Sequence, residues 1–202
     1  MFSPRLARRS LNRYRRKGLD ELERMMVTSA GEPGLGGARV LEIGGGIGAL
    51  QSELLEAGAA NGEVVELSPA YAPYAEELAR ERGLDQRSSF RVADVLADPA
   101  DVGPAEIVLL NRVVCCSPDG VELAGAAAKL TRKTLVLSFP RDRILVRAGL
   151  RLVNAWSWLL RRSFRVFLHP ARALVAAAEA EGLQLTKSGR VQLWEFVALR
   201  RE

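Results

Sequence analysis

Ala38-Arg39-Val40-Leu41-Glu42-Ile43-Gly44-Gly45-Gly46-Ile47-Gly48 is the stretch that decides how this chain of 202 residues is read. A short apolar segment, Ala38 to Ile43, runs into four glycines within five residues, and then into Leu50, Leu54 and Leu55 at helical spacing. A strand that enters a helix through glycines can turn with positive φ and bring its backbone close to a ligand. Gly44-x-Gly46-x-x-Ala49 also satisfies the spacing of a dinucleotide-binding loop, a weak signal that the flanking residues have to decide.

Working outward, Glu63 to Leu67 reads as a second strand. Ser68-Pro69 then supplies a cap and a first-turn proline for a helix to about Arg82, stopped by Gly83. Phe90 to Val92 is a third strand, followed by Asp94. Glu106 to Leu110 is a fourth, almost continuously apolar as a strand covered on both faces should be. An alanine-rich helix from about Pro118 to Leu130 leads to a fifth strand, Thr134 to Phe139. This alternation predicts an α/β, doubly wound, mostly parallel sheet, with ligands outside the carboxyl ends of the strands where strand order reverses. Further on, Arg143 to Arg162 reads as a long helix and Phe164 to Leu168 as extended chain. His169-Pro170 opens a helix to about Glu181, and Leu183–Leu185 with Val191–Leu199 form a hairpin about Lys187-Ser188-Gly189-Arg190. The hairpin adds a sixth strand and an antiparallel seventh. Upstream, the first ~28 residues are helical, with a bend at Gly18. The expected organisation is one domain over residues 1–202, with a helical arm at 1–30 and an inserted segment at 142–168.

A composition of 48% hydrophobic and 26% charged residues is that of a globular protein and excludes disordered or fibrous classes. The two cysteines, Cys115 and Cys116, are adjacent and provide no disulfide framework, which favours a reducing, cytoplasmic setting. The arginine-rich start lacks the apolar core of a secretion signal, and no run approaches the ~20 apolar residues that span a bilayer. The net charge of +5 is concentrated between Arg5 and Lys17 and between Arg141 and Arg165. That speaks to non-specific attraction, and nucleic acid is not the expected partner.

Three acidic residues stand at or just beyond the carboxyl ends of the predicted strands. Glu42, two residues before Gly44, repels a pyrophosphate but suits an ammonium or sulfonium group. Glu66 can accept both hydroxyls of a ribose, a device nicotinamide sites share. Asp94 can accept from an adenine amino group. Val40 to Gly48, Val65-Glu66-Leu67-Ser68-Pro69 and Val92-Ala93-Asp94 together resemble successive motifs of the class I S-adenosylmethionine (SAM)-dependent methyltransferases, over roughly residues 38 to 140. The resemblance implies a seven-stranded sheet and SAM as cofactor. It places Glu42, Gly44, Gly45, Gly46 and Gly48 at the methionine moiety, Glu66 and Leu67 at the ribose, Asp94 and Val95 at the adenine, and Asn111 beside the reactive methyl. A nicotinamide-binding domain is the alternative on the residues alone.

Methyl transfer from a sulfonium is an in-line displacement driven largely by positioning, so the acceptor leaves a faint mark on sequence. Asn111 is a candidate for a direct role, its alternative being a local turn. It is not followed by the Pro-Pro-aromatic of nucleic-acid amino methylases, and neither cysteine follows the proline of a cytosine-5 nucleophile; both cysteines read as buried small hydrophobes. Only Asp119 lies near this strand end, so no metal is expected. His169 is a candidate base or a loop terminus before Pro170; Tyr14 closes over the cofactor or packs in its helix. Arg143, Arg147 and Arg151 recur every four residues among apolar side chains, which reads as a cap for a greasy acceptor with an anionic end or for a membrane-surface substrate. The alternative is a helix packed on the sheet with its arginines in solvent. The segments Ser138–Arg143 and Phe164–Pro170 loosely resemble magnesium-protoporphyrin O-methyltransferase-like and quinone-pathway methyltransferases. The resulting expectation is a SAM-dependent methyltransferase acting on an oxygen or carbon of a small apolar molecule, in the cytoplasm or at the periphery of a membrane. The rivals are an RNA or protein methyltransferase gripping its target with the basic N-terminal arm, and a SAM-binding protein without turnover.

Overall fold

Successive side chains of a strand point to opposite faces of a sheet, and that alternation decides which residues meet which helices. The computed structural model describes residues 3–159 and 165–202. Its elements run α1 (Pro4–Lys17), α2 (Glu21–Gly31), β1 (Arg39–Ile43), α3 (Ala49–Glu56), β2 (Asn61–Glu66), α4 (Ala72–Glu81) and β3 (Ser88–Val92). They continue with β4 (Ala105–Leu110), α5 (Gly120–Lys129), β5 (Thr131–Pro140), α6 (Ile144–Leu159), α7 (Ala171–Glu179), β6 (Gln184–Val191) and β7 (Trp194–Arg200). The sheet order is β3-β2-β1-β4-β5-β7-β6. The first five strands are parallel, while β7 runs antiparallel to both β5 and β6. Chain order reverses between β1 and β4, so a crevice opens at their carboxyl ends.

Val40, Ile107, Leu109 and Val136 share one core with α1 to α4. Their strand neighbours Leu41, Val108, Leu110, Leu135 and Leu137 point the other way, into a core with α5 and α7. A residue such as Leu109, fully buried in that first core, contributes about 2 kcal/mol through burial.

The N-terminal residues are part of this core. Ser3 caps α1, and Gly18 ends it at φ +63°, its N–H donating to the Tyr14 carbonyl. Asp20 and Glu23 then form a reciprocal capping box on α2, which fixes the angle between the two helices. Ala7, Leu11, Tyr14, Leu22 and Met26 are all buried in the core shared by α1 to α4, so the expected arm is a packed helical pair.

Two expectations need correction, the turn of the hairpin and the opening of the helix after Ser68-Pro69. The hairpin turns at Gln192-Leu193, with Gln192 at φ +50°, not at Lys187–Arg190, which lies inside β6. Gly189 pairs with Phe196, and a Cβ there would sit 2.3 Å from the Phe196 ring, so this glycine makes room for an aromatic and does not form a turn. Residues 165–168 join no strand. The helix predicted after Ser68-Pro69 opens with a separate 3₁₀ turn, Pro69–Tyr71. Of the predicted helix Arg143–Arg162, Ile144–Leu159 is helical and Leu160, Arg161 and Arg162 lie outside the described residues, as does Phe164.

Candidate functional site

The crevice at the strand-order reversal holds a cavity of about 710 Å³. Its floor is the glycine loop between β1 and α3. Gly44 has φ +64°, and a Cβ on it would lie 2.6 Å from the Val113 side chain, so both backbone angle and space demand glycine. The Gly44 N–H donates to the Val65 carbonyl at 2.7 Å, tying the loop to β2.

Glu42 sits beneath this loop, buried, with one oxygen accepting the Gln51 N–H at 2.9 Å. Burial raises its pKa from 4.5 to about 8; backbone N–H donors at Gln51 and Leu50 oppose the rise, and the charges of Glu23 and Glu66 add to it. Glu66, at the end of β2, is also buried. It accepts the N–H groups of Ser68 at 3.1 Å and Gly46 at 3.2 Å, which hold down a pKa that burial pushes up. Each carboxylate has more acceptor positions than these bonds use, so both can still receive a ligand's donors. Leu67 and the residues Asp94 to Ala97 continue the wall, and Asp94 accepts the Leu96 N–H at 2.9 Å in a local turn.

Asn111 ends β4 on the same wall. Its side-chain oxygen accepts from the Ser138 hydroxyl at 2.9 Å, and its amide donates to Glu23 at 3.2 Å. Glu23 also accepts from Arg13 at 3.2 Å and from the Asp20 N–H at 2.8 Å. Arg112, at φ +60°, donates its backbone N–H to Ser138 and its guanidinium to Asp20 at 2.7 Å, and stacks 4.9 Å from the Trp194 ring centre. This network joins α2, β5 and β7 to the strand end that lines the cavity.

Of the expected site residues, the fold brings Glu42, Gly44, Gly45, Gly46, Glu66, Leu67, Asp94, Val95 and Asn111 to one cavity. Gly48 stands behind the loop as the left-handed N-cap of α3. Tyr14 does not line the cavity: it is buried among α1, α3 and α4, donating to Glu53 at 2.5 Å with the Arg82 guanidinium 5.2 Å over its ring. It therefore packs within the core. His169 is not on the wall either; its Nε2 lies 3.0 Å from the Ser117 carbonyl, anchoring the segment before α7 to the β4–α5 loop. Among the described residues, none of α6 lines the cavity. Cys115 is buried as expected, whereas Cys116 is exposed and lines the cavity.

Ser10, Arg13, Glu23, Tyr71 and Arg112 also face the cavity, and the sequence reading did not select them. Asp20-x-x-Glu23 is legible as a capping box, but its approach to Asn111, 88 residues away, is a tertiary event. Among the described residues, no three His, Cys, Asp or Glu side chains come together as a metal site, and no helix is long and apolar enough to cross a membrane.

This strand order, with an antiparallel penultimate strand and a glycine loop at the reversal, defines the class I SAM-dependent methyltransferase fold. Magnesium protoporphyrin IX methyltransferase from Synechocystis with bound SAH has a TM-score of 0.70 to this chain at 18% identity, over 96% of this chain and 94% of that one. An O-methyltransferase family protein from Burkholderia thailandensis reaches 0.73 at 20% identity, over 98% of this chain but only 60% of its own. Geranyl diphosphate methyltransferase in complex with GPP and sinefungin reaches 0.67 at 16% identity, over 90% and 77%. No family model and no curated protein sequence matches the chain. At these identities the likeness shows the fold, and chemistry has to be argued from the site.

Proposed function

We propose that this protein is a SAM-dependent methyltransferase acting on an oxygen or carbon of a small, apolar molecule. The observation that carries the reading is Glu42: a carboxyl buried beneath a glycine loop, its pKa lifted to about 8, with Glu23 and Glu66 close enough to raise it further. A cation bound there draws the carboxyl into its ionised form and is held by it, whereas the pyrophosphate of a dinucleotide gains nothing from that ionisation. The residues fit SAM. Glu42 and the loop Gly44–Gly46 would hold its cationic methionine portion, Glu66 and Leu67 its ribose, and Asp94 and Val95 its adenine. When bound, SAM supplies an electrophilic methyl group.

What this chain contributes is orientation and exclusion of water. Asn111, fixed between Ser138 and Glu23, is held rigid on the wall and positions whatever lies against it. Ile47, Val113 and Leu123 give the cavity apolar walls. The similar structures act, by their names, on a porphyrin or on geranyl diphosphate, which supports a small organic acceptor. A nucleic-acid or protein target is less well supported: on α1, Arg13 pairs with Glu23, and Arg15 with Glu77 and Glu81, so part of the basic charge is spent internally. The free thiols accord with a cytoplasmic setting, and a location at a membrane periphery belongs to the same reading.

Calorimetric titration with SAM and with NAD, on the wild type and on Glu66→Ala, tests the proposal. Binding of SAM or its demethylated product, lost in a variant whose circular dichroism is unchanged, is the expected result. Binding of NAD alone refutes the methyltransferase reading. SAM binding without product across a broad acceptor panel would favour a protein that binds without turnover.

A further inference from the structure

A surface helix ordinarily buries its apolar side and shows a polar one to water. Helix α6 is built the other way. Val146 and Ser157 are buried, and half-buried Leu150 and Asn154 share their face. Asn154 fixes the following segment, donating to the Val166 carbonyl at 2.7 Å and accepting its N–H at 2.9 Å. On the opposite side, Ile144, Leu152, Trp156 and Leu159 are 62–84% exposed. At 100° per residue they fall within an arc of about 120°, along a helix about 24 Å long. Trp158, 72% exposed, stands at the margin of this arc with Arg147 and Arg151. One exposed leucine needs no explanation, but a contiguous row of large apolar groups marks a contact surface.

Charge identifies the contact. Between Arg143 and Ala178 the sequence has no acidic residue. Asp142, just before the helix, pairs with Arg147 at 2.5 Å, while Arg143 and Arg151 have no carboxylate partner among the described residues. An apolar face with tryptophans, bordered by arginines, matches the boundary between acyl chains and anionic headgroups. A second copy fits poorly, because a symmetric contact would bring the two arginine rows together.

We propose that α6 is a docking element for an anionic lipid bilayer, lying in the surface plane with Ile144, Leu152, Trp156 and Leu159 inserted and Arg143 and Arg151 on the headgroups. This deepens the peripheral location proposed above, but it depends on no step of methyl transfer.

The test is flotation of the purified chain with vesicles of phosphatidylcholine, alone or mixed with phosphatidylglycerol, while tryptophan emission is followed. Size-exclusion chromatography and SAM titration run alongside. Expected are binding to the anionic vesicles with a blue-shifted emission, weak binding to the neutral ones, and release by high salt. Leu152→Glu with Trp156→Glu should reduce partitioning at least tenfold. Arg143→Glu with Arg151→Glu should reduce it about fivefold or more per arginine. Both double variants should keep the wild-type SAM affinity. Absence of binding to anionic vesicles overturns the proposal, and so does binding that the Leu152/Trp156 variant retains. A wild-type dimer that this variant dissociates, without lipid binding, would assign the face to a second copy instead. Vesicle binding in a chain that fails to bind SAM would sink the methyltransferase reading and leave this one standing.

Discussion

Replacing Glu42 by glutamine should make the protein more stable and less able to bind its cofactor. Glu42 ionises at about 8 in the fold against 4.5 ordinarily. Between those values the unfolded chain has released this proton and the folded chain retains it. Rising pH therefore favours unfolding by about 1.4 kcal/mol per unit, and the contribution Glu42 makes to stability at acid pH is lost. At pH 7 the accumulated cost is roughly 3 kcal/mol. Glutamine carries no charge, and its oxygen can still accept the Gln51 N–H. Its new N–H₂ group lacks an assured partner and offsets about 1 kcal/mol. The net gain of about 2 kcal/mol corresponds to a rise in Tm of about 4–8 °C for a chain of this size.

The assay is thermal unfolding of both proteins without cofactor from pH 4.5 to 8.5, paired with SAM titration. The wild-type and Glu42→Gln curves should converge near pH 4.5–5, separate as pH rises, and run parallel above about pH 8. A charge-assisted hydrogen bond is worth 1.5–3 kcal/mol, so SAM affinity should fall roughly 10- to 150-fold in the variant. In the wild type, affinity should rise with pH up to about 8, because the bound cation requires the ionised carboxylate. In the variant this slope should vanish. A variant that is no more stable than wild type at pH 7, or that keeps both affinity and pH slope, would refute the reasoning.

Three further outcomes are expected. Gly44→Ala forces φ +64° on a Cβ that meets Val113 at 2.6 Å, so it should cost about 2 kcal/mol or more in chemical denaturation and weaken SAM binding. Val113→Ala should relieve the contact but not the backbone strain. Tyr14→Phe removes the bond to Glu53 and should lower stability by about 1–2 kcal/mol while leaving SAM affinity unchanged; a tenfold loss of affinity would return Tyr14 to the site. Iodoacetamide should label Cys116 much faster than Cys115, since Cys116 is exposed and its thiol pKa is lowered by hydrogen bonding with the neighbouring Cys115 thiol, whereas Cys115 is buried. Saturating SAM should slow the labelling, and equal rates with and without it would place Cys116 outside the bound region.

Sequence by itself determined the parallel sheet, the place of the glycine loop and the acidic residues at the carboxyl ends of β1, β2 and β3. These are local facts. Strands and helix caps are read from neighbours a few residues apart, and the candidate carboxylates sit at the strand ends that display them. Only the tertiary structure decided what surrounds Tyr14, His169, Glu23 and α6. Tyr14 was an aromatic in a basic helix until Glu53 and Arg82, far along the chain, claimed its hydroxyl and ring. Glu23 was a capping residue until Asn111, 88 positions later, came within 3.2 Å. In α6 the repeat of arginines and apolar groups was plain, but periodicity cannot say which arc a fold will cover. Which face meets protein, and which is left for another surface, depends on what the rest of the chain brings to it.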